Sequence, residues 1–165
     1  MTSTGITLTL RTLHDGERSL ERNLLAAAVR HRTEHEFHHG AMDVARWSHE
    51  HCSRLADSGH GRGMGLSGPP GDPAPGVLAT LREKTAGVLG RRPENGLMLL
   101  QDLCDVLLAA TRNSLHWGML AQAAQATRDE DLLTLASECH PRTLRQIRWT
   151  NTLLREHSPQ LLSSV

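Results

Sequence analysis

Six of the chain's eleven histidines fall in one stretch, "HRTEHEFHHGAMDVARWSHEHC", residues 31 to 52. Imidazoles crowded on one helix can bind a metal or sense pH. With Phe37 taken as the inward direction, helical spacing gathers Ala41, Val44, Ser48 and Leu55 near it and turns His35, His39, Arg46 and Glu50 outward. His35 and His39 form a surface pair four residues apart. A protein metal site normally needs three or four ligands held by further partners, so the pair reads as a solvated face. His38 and His51 fall at the core boundary, where a histidine either serves a function or bonds to the neighbouring helix. A pH switch through the cluster would change conformation or oligomeric state between roughly pH 7 and 5.5.

Glu17 raises a sharper question, because it lies on an apolar stripe between Leu13 and Leu20. A buried carboxylate must be paired, hydrogen-bonded, metal-bound or protonated, since an isolated buried charge is strongly unfavourable. Near the other end of the chain His140 and Asn151 also fall on the expected inward stripe. Pro141 removes an amide beside His140 and is expected to kink its helix. Aligning the helices across their turns brings Glu17, Ser48, His51, Asn113 and His140 to one mid-bundle layer. Within it Glu17, His51 and His140 are the candidate metal ligands, for iron or manganese, and Ser48, Asn113 and Asn151 are buried polar partners. The same residues also suit a purely structural network, with Glu17 bonded to His140 or Asn113.

The elements that must position these groups are four long helices, read from apolar periodicity, with almost nothing patterned as strand. They are expected at about 8–30, 33–57, 95–126 and 129–157. "TEHE" at 33 to 36 and "TRDE" at 127 to 130 read as capping boxes opening the second and fourth. The fourth is expected to turn Leu133, Ser137, His140, Leu144, Ile147, Asn151 and Leu154 inward. The third is apolar around most of its circumference, with Asp102, Asp105, Arg112 and His116 as a narrow polar edge, and needs cover on nearly all sides. A Gly/Pro-rich link at 57–76, followed by a short helix at 77–90, connects the pairs. The expected fold class is therefore all-α, a single domain over 1–165: a four-helix bundle of two antiparallel hairpins joined by a long crossover that carries an extra short helix.

Bulk composition narrows the partners. The 165 residues include 18 Lys plus Arg and 18 Asp plus Glu, so there is no basic surplus to hold phosphate backbones. With no tyrosine and one phenylalanine, the chain lacks the stacking platform of single-strand binders, and no nucleic-acid partner is expected. No apolar run is long enough to span a membrane, and "MTSTGITLTLRTL" is not patterned as a secretory signal. A cytoplasmic protein without a membrane partner is the expectation. Cys52, Cys104 and Cys139 are odd in number and sit in helical patterns. They read as reduced thiols, with nothing beside them in sequence poised to activate one.

The stretches "LHDGERSLERNLL", "NSLHWGMLAQAAQATRDEDLL" and "CHPRTLRQIRWTNTLL", in this helix order, resemble bacterial ferritin-like proteins, distantly similar to ferritin-like stress-associated proteins. The resemblance covers nearly the whole chain and rests on structural motifs. It implies a bundle whose relatives hold a di-iron centre, built from one glutamate on each of two helices and a glutamate-x-x-histidine pair on each of the other two. Glu17 matches one glutamate position. The second helix offers Ala41, Val44 and Ser48 inward, and Glu36 with His39, though correctly spaced, points outward. The third helix offers Asn113 and Ser114. His140 has Ser137 where the pair requires glutamate. What the resemblance then implies is a degenerate di-metal site and a non-catalytic binding, stress-related or interaction protein.

Two further readings stand beside it. One is a metal-binding protein or metal-dependent oxidoreductase using Glu17, His51 and His140. The other is a bundle that holds a small apolar ligand in an elongated core cavity. Leu108, Leu115 and Met119 on the outer side of the third helix call for a cover, from the short helix or from a second subunit in a homodimer.

Overall fold

The computed structural model describes residues 3–67 and 92–164, and these form four helices: α1 Thr4–Arg30, α2 His35–His60, α3 Arg92–Thr127 and α4 Glu130–Ser163. The described residues contain no strand. The link expected at 57–76 begins later than its composition implied, because residues 57–60 form the last turn of α2; its remainder at 68–76 and the short helix expected at 77–90 lie outside the described residues. Each helix is longer than the periodicity implied, because apolar spacing marks only the part that packs. α1 begins four residues early, on Ser3, whose side chain accepts from the Gly5 amide.

The pairings across the bundle are all antiparallel. From α1 to α2 they run His14 to Cys52, Glu17 to His51, Glu21 to His49 and Ala28 to His38. From α1 to α3 they run Glu17 to Trp117 and Arg30 to Asp102. α4 meets α2 through Glu138 and Arg54, Arg142 and Glu50, and Gln146 and Val44. It meets α3 through His140 and Ser114. α1 therefore packs beside α2 and α3, α4 closes the square, and α2 and α3 run in the same direction on a diagonal.

Two turns hold the hairpins. Between α1 and α2, His31 is buried and its Nε2 lies 2.7 Å from Asp102 Oδ2, while Arg30 reaches both oxygens of the same carboxylate at 2.6 Å. Burial works against this charge, but the hydrogen bonds from His31 and Arg30 outweigh it and hold the Asp102 carboxyl below its ordinary value. The expected capping box at Thr33 does not form: α2 starts after Glu34, which makes no side-chain cap. Between α3 and α4 the cap is Asp129, accepting from the Leu132 amide at 3.1 Å, and not Thr127, whose hydroxyl turns back to the Ala123 carbonyl. Here the chain closes α3 with bonds from the Asp129 amide to the Ala124 carbonyl and from the Arg128 amide to that of Gln125. This Schellman arrangement puts Arg128 at φ 54°, a left-handed conformation usually given to glycine.

The interior is divided. One apolar cluster gathers Leu10, Leu13, Leu55, Trp117, Leu120, Leu132 and Leu135; the other gathers Leu20, Leu24, Phe37, Val44, Leu103, Val106 and Leu153. Between them on every helix stand buried polar residues: Glu17, Ser48 and His51, Asn113, then Thr143 and Gln146. The bundle has a polar waist.

α4 faces inward through Leu132, Leu135, Ala136, Cys139, Thr143, Gln146, Thr150 and Leu153. That stripe is the expected one displaced by a single residue, a rotation of about 100°. His140 and Asn151 are consequently only half-buried, and Leu144 is exposed. The physical reason is that α4 fills the waist with Thr143, Gln146 and Thr150, so its most apolar face and its most buried face do not coincide.

Candidate functional site

The waist is centred on Glu17, which is 0% exposed. Its Oε1 accepts two hydrogen bonds, from His51 Nδ1 at 3.1 Å and from the Trp117 indole Nε1 at 2.9 Å. His51 is also 0% exposed, and its ring stands edge-on to Trp117, 5.7 Å between centroids. The local sequence explains the meeting. Glu17 follows Leu13 by one turn on the inward stripe of α1, His51 follows Ser48 by three residues on α2, and Trp117 follows Asn113 by four on α3.

Burial alone would keep His51 uncharged. The Cys139 thiol beside the ring and the Glu17 carboxylate outweigh that effect, and the His51 pKa rises from 6.5 to about 9. At neutral pH the raised value keeps the His51 imidazole protonated beside Glu17. Glu17 Oε2 and His51 Nε2 nevertheless have no hydrogen-bond partner, and neither has the Thr143 hydroxyl.

A second pair lies one turn along α1, where the nearly buried Glu21 accepts from His49 Nδ1 at 2.8 Å. Farther along the waist, Gln146 Nε2 donates to the Val44 carbonyl and to Ser48 Oγ, each at 2.9 Å. Asn113 packs where Gly16 has no side chain; a methyl group there would lie 2.2 Å from Asn113 Oδ1. The contact fits because Gly16 is glycine.

Of the expected site residues, the structure brings Glu17 and His51 into direct contact and places Ser48 and Asn113 in the same layer. His140 is a correction: its Nε2 shares a 2.8 Å hydrogen bond with Ser114 Oγ at the α3–α4 edge, and burial holds its pKa below the ordinary value. Asn151 is a second correction, its inward place being taken by Thr150. His35 and His39 are exposed, and His38 bonds to the Ala28 carbonyl, as the helical wheel implies. Sequence reasoning missed Trp117, Glu21, Cys139 and Gln146. Glu21 was legible as the residue one turn beyond Glu17; Cys139 and Gln146 followed only from the correct face of α4.

The residues do not fit a di-iron centre. Among the described residues no three His, Cys, Asp or Glu side chains converge on a point that could hold a metal ion. Glu17 is engaged by His51 and Trp117, and Glu21 by His49, so the two carboxylates of α1 turn to separate imidazoles.

Two grooves open on the surface. One, about 600 Å³, is lined by Arg54, Asp57, Arg62, Asp129, Asp131 and Leu135. The other, about 410 Å³, lies between α1 and α3 over Asp15, Gly16, Arg112, Asn113 and His116. The first has a chiefly polar wall and the second a mixed one, and neither resembles the enclosed apolar cavity that a hydrophobic ligand requires.

The described residues thus form an all-helical fold, in which no helix is long and apolar enough to cross a membrane. Comparison with protein-family models, curated proteins and solved structures finds no significant match.

Proposed function

We propose that this is a ferritin-like four-helix bundle with a degenerate di-metal site, acting as a non-catalytic, stress-related binding or interaction protein in the cytoplasm. The observation that carries the reading is the pairing of Glu17 with His51 and Trp117 at the depth where such bundles hold metal. The antiparallel neighbours, with α2 and α3 parallel on a diagonal, suit two hairpins joined by a crossover that travels the length of the bundle. Elemental analysis of protein purified without a histidine tag tests it. Iron and manganese well below one ion per chain are expected; a near-stoichiometric metal that disappears in Glu17→Ala overturns the reading.

That outcome would establish the alternative, a metal-binding protein or metal-dependent oxidoreductase. The alternative draws on the unpartnered Glu17 Oε2 and His51 Nε2. It lacks a third ligand now that His140 bonds to Ser114.

The binding surface in this reading is the outer face of α3, where Leu97, Leu108, Leu115 and Met119 are exposed. Leu108 and Leu115 lie two turns apart on one stripe, the spacing of a helix seam, and a second copy of the chain is its proposed cover. A dimer by sedimentation at micromolar concentration is expected, reverting to monomer in Leu108→Glu; a wild-type monomer removes this part.

A further inference from the structure

We propose that the groove between α1 and α3 binds a small zwitterion, an α-amino acid whose carboxylate meets Arg112 and whose ammonium meets Asp15. The inference goes beyond the ferritin-like reading and depends neither on metal content nor on dimer formation.

The floor of the groove is made by two residues fitted to each other. Gly16 has no side chain, and Asn113 fills the space: a methyl group on Gly16 would stand 2.2 Å from Asn113 Oδ1 and 3.3 Å from its Cγ. Asn113 is 3% exposed, yet its Nδ2 has no hydrogen-bond partner. A buried amide donor left unmet is costly, and the side chain that carries it lines the groove. A half-turn about the last bond of asparagine exchanges the amide nitrogen and oxygen, so the floor can donate to an occupant as well as accept from it.

The walls carry opposite charges. Asp15 on α1 is exposed, and its ionic neighbour among the described residues is His14, whose Nδ1 lies 3.8 Å away, too far for a hydrogen bond. Arg112 stands on the α3 wall, and among the described residues no ion pair joins it to Asp15. Two charges of opposite sign that face one cleft without meeting suit a ligand that carries both signs. A guanidinium grips a carboxylate through two parallel N–H bonds, and a carboxylate accepts from an ammonium. A dianion would be opposed by Asp15, and a diamine by Arg112.

The remaining polar groups are placed to fix orientation. His116 Nδ1 donates to the Arg112 carbonyl at 2.9 Å, which sets the ring and leaves Nε2 of the neutral imidazole as an acceptor. On α1 the hydroxyls of Thr7 and Thr9 turn back to the Ser3 and Gly5 carbonyls. Those of Thr12 and Ser19, which line the groove, make no such bond among the described residues. A volume of about 410 Å³ falls within the range of small-molecule sites.

The test is an NMR titration of the isotope-labelled full chain with L-alanine, and with propionate and ethylamine, each of which keeps one of its two charged groups. The Asn113 side-chain amide and the Gly16 backbone amide are the reporters. L-alanine is expected to shift both saturably, with a dissociation constant of about 1 mM or tighter, within reach of a ligand of so few heavy atoms. Each single-charge probe is expected to bind about tenfold more weakly, the effect of losing a charge-assisted hydrogen bond. Asp15→Asn and Arg112→Gln, both at exposed positions that keep the fold, are each expected to weaken L-alanine by about the same tenfold factor. No saturable shift at Asn113 and Gly16 with L-alanine up to about 50 mM overturns the proposal. Propionate or ethylamine binding as tightly as L-alanine also overturns it, as does an affinity unchanged in Asp15→Asn and Arg112→Gln.

Discussion

Replacing Glu17 by glutamine removes one charge from the waist while keeping its shape. The amide oxygen still accepts from Trp117, but of the two groups that offset the burial of an imidazolium only Cys139 remains, so the His51 pKa falls well below its wild-type value. In the wild type the rise from 6.5 to about 9, taken at about 1.4 kcal/mol per pH unit, corresponds to about 3 kcal/mol of folding stability. Because the folded state binds this proton more tightly than the unfolded chain does, the contribution is whole below pH 6.5 and drains away as pH rises through about 9. Urea unfolding from pH 6 to 10 reads it directly. The stability difference between wild type and Glu17→Gln at pH 6 is the share of this owed to Glu17, at most about 3 kcal/mol, in keeping with the disruption of a buried pair, and it is expected to shrink steadily above pH 6.5. The Cys52 thiol, whose pKa burial and then Glu17 push up from 9.0, adds a loss only at still higher pH, and a smaller one in the variant. Two parallel profiles would refute the reasoning, as would a His51 midpoint near 6.5 in the wild-type imidazole NMR titration.

Trp117→Phe keeps an aromatic ring but deletes the indole donor to Glu17, leaving Oε1 with the His51 bond alone; a loss of about 1–3 kcal/mol in chemical denaturation is expected, the usual range for losing a buried hydrogen bond. Arg128→Gly is expected to stabilise the chain by about 1 kcal/mol, seen as a higher thermal midpoint, because Arg128 carries the left-handed φ of 54° that closes α3. Asp129→Ala is expected to lower stability by about 1 kcal/mol through loss of the α4 cap, with the Arg62 ion pair adding to it. The hydrogen bonds from Arg62 hold the Asp129 carboxyl below its ordinary value, so the contribution is present above about pH 4 and is lost as pH falls through that lowered value; a difference from wild type that does not diminish on acidification would contradict this.

The helices and their pairing were legible because Leu10, Leu13, Leu20 and Leu24 on α1, and Phe37, Ala41, Val44 and Leu55 on α2, repeat with one unambiguous phase. Glu17 stood out against that phase, and Ser48, His51 and Asn113 followed from pairing across the turns. α4 offered two faces instead of one. Leu144, Ile147 and Leu154 argued for a stripe through His140, whereas the buried stripe carries Cys139, Thr143, Gln146 and Thr150, whose polar groups disguise it. Hydropathy sums cannot recognise a face that is buried because its polar atoms have partners on another helix; Gln146 is inside because Val44 and Ser48 receive it. The helix ends were blurred for a different reason. A threonine three residues before a glutamate is only compatible with a capping box, and Asp129 competes successfully with Thr127 for the amides that open α4.

The division of the interior by its polar layer has a consequence for how the bundle selects one alignment of its helices. Leucine layers tolerate sliding, since one hydrocarbon surface replaces another at little loss. A slide of one turn, about 5.4 Å, would instead set Glu17 against leucine neighbours and strand both His51 and Gln146. The waist thereby acts as an alignment key, one that penalises near-native decoys more than it strengthens the native state.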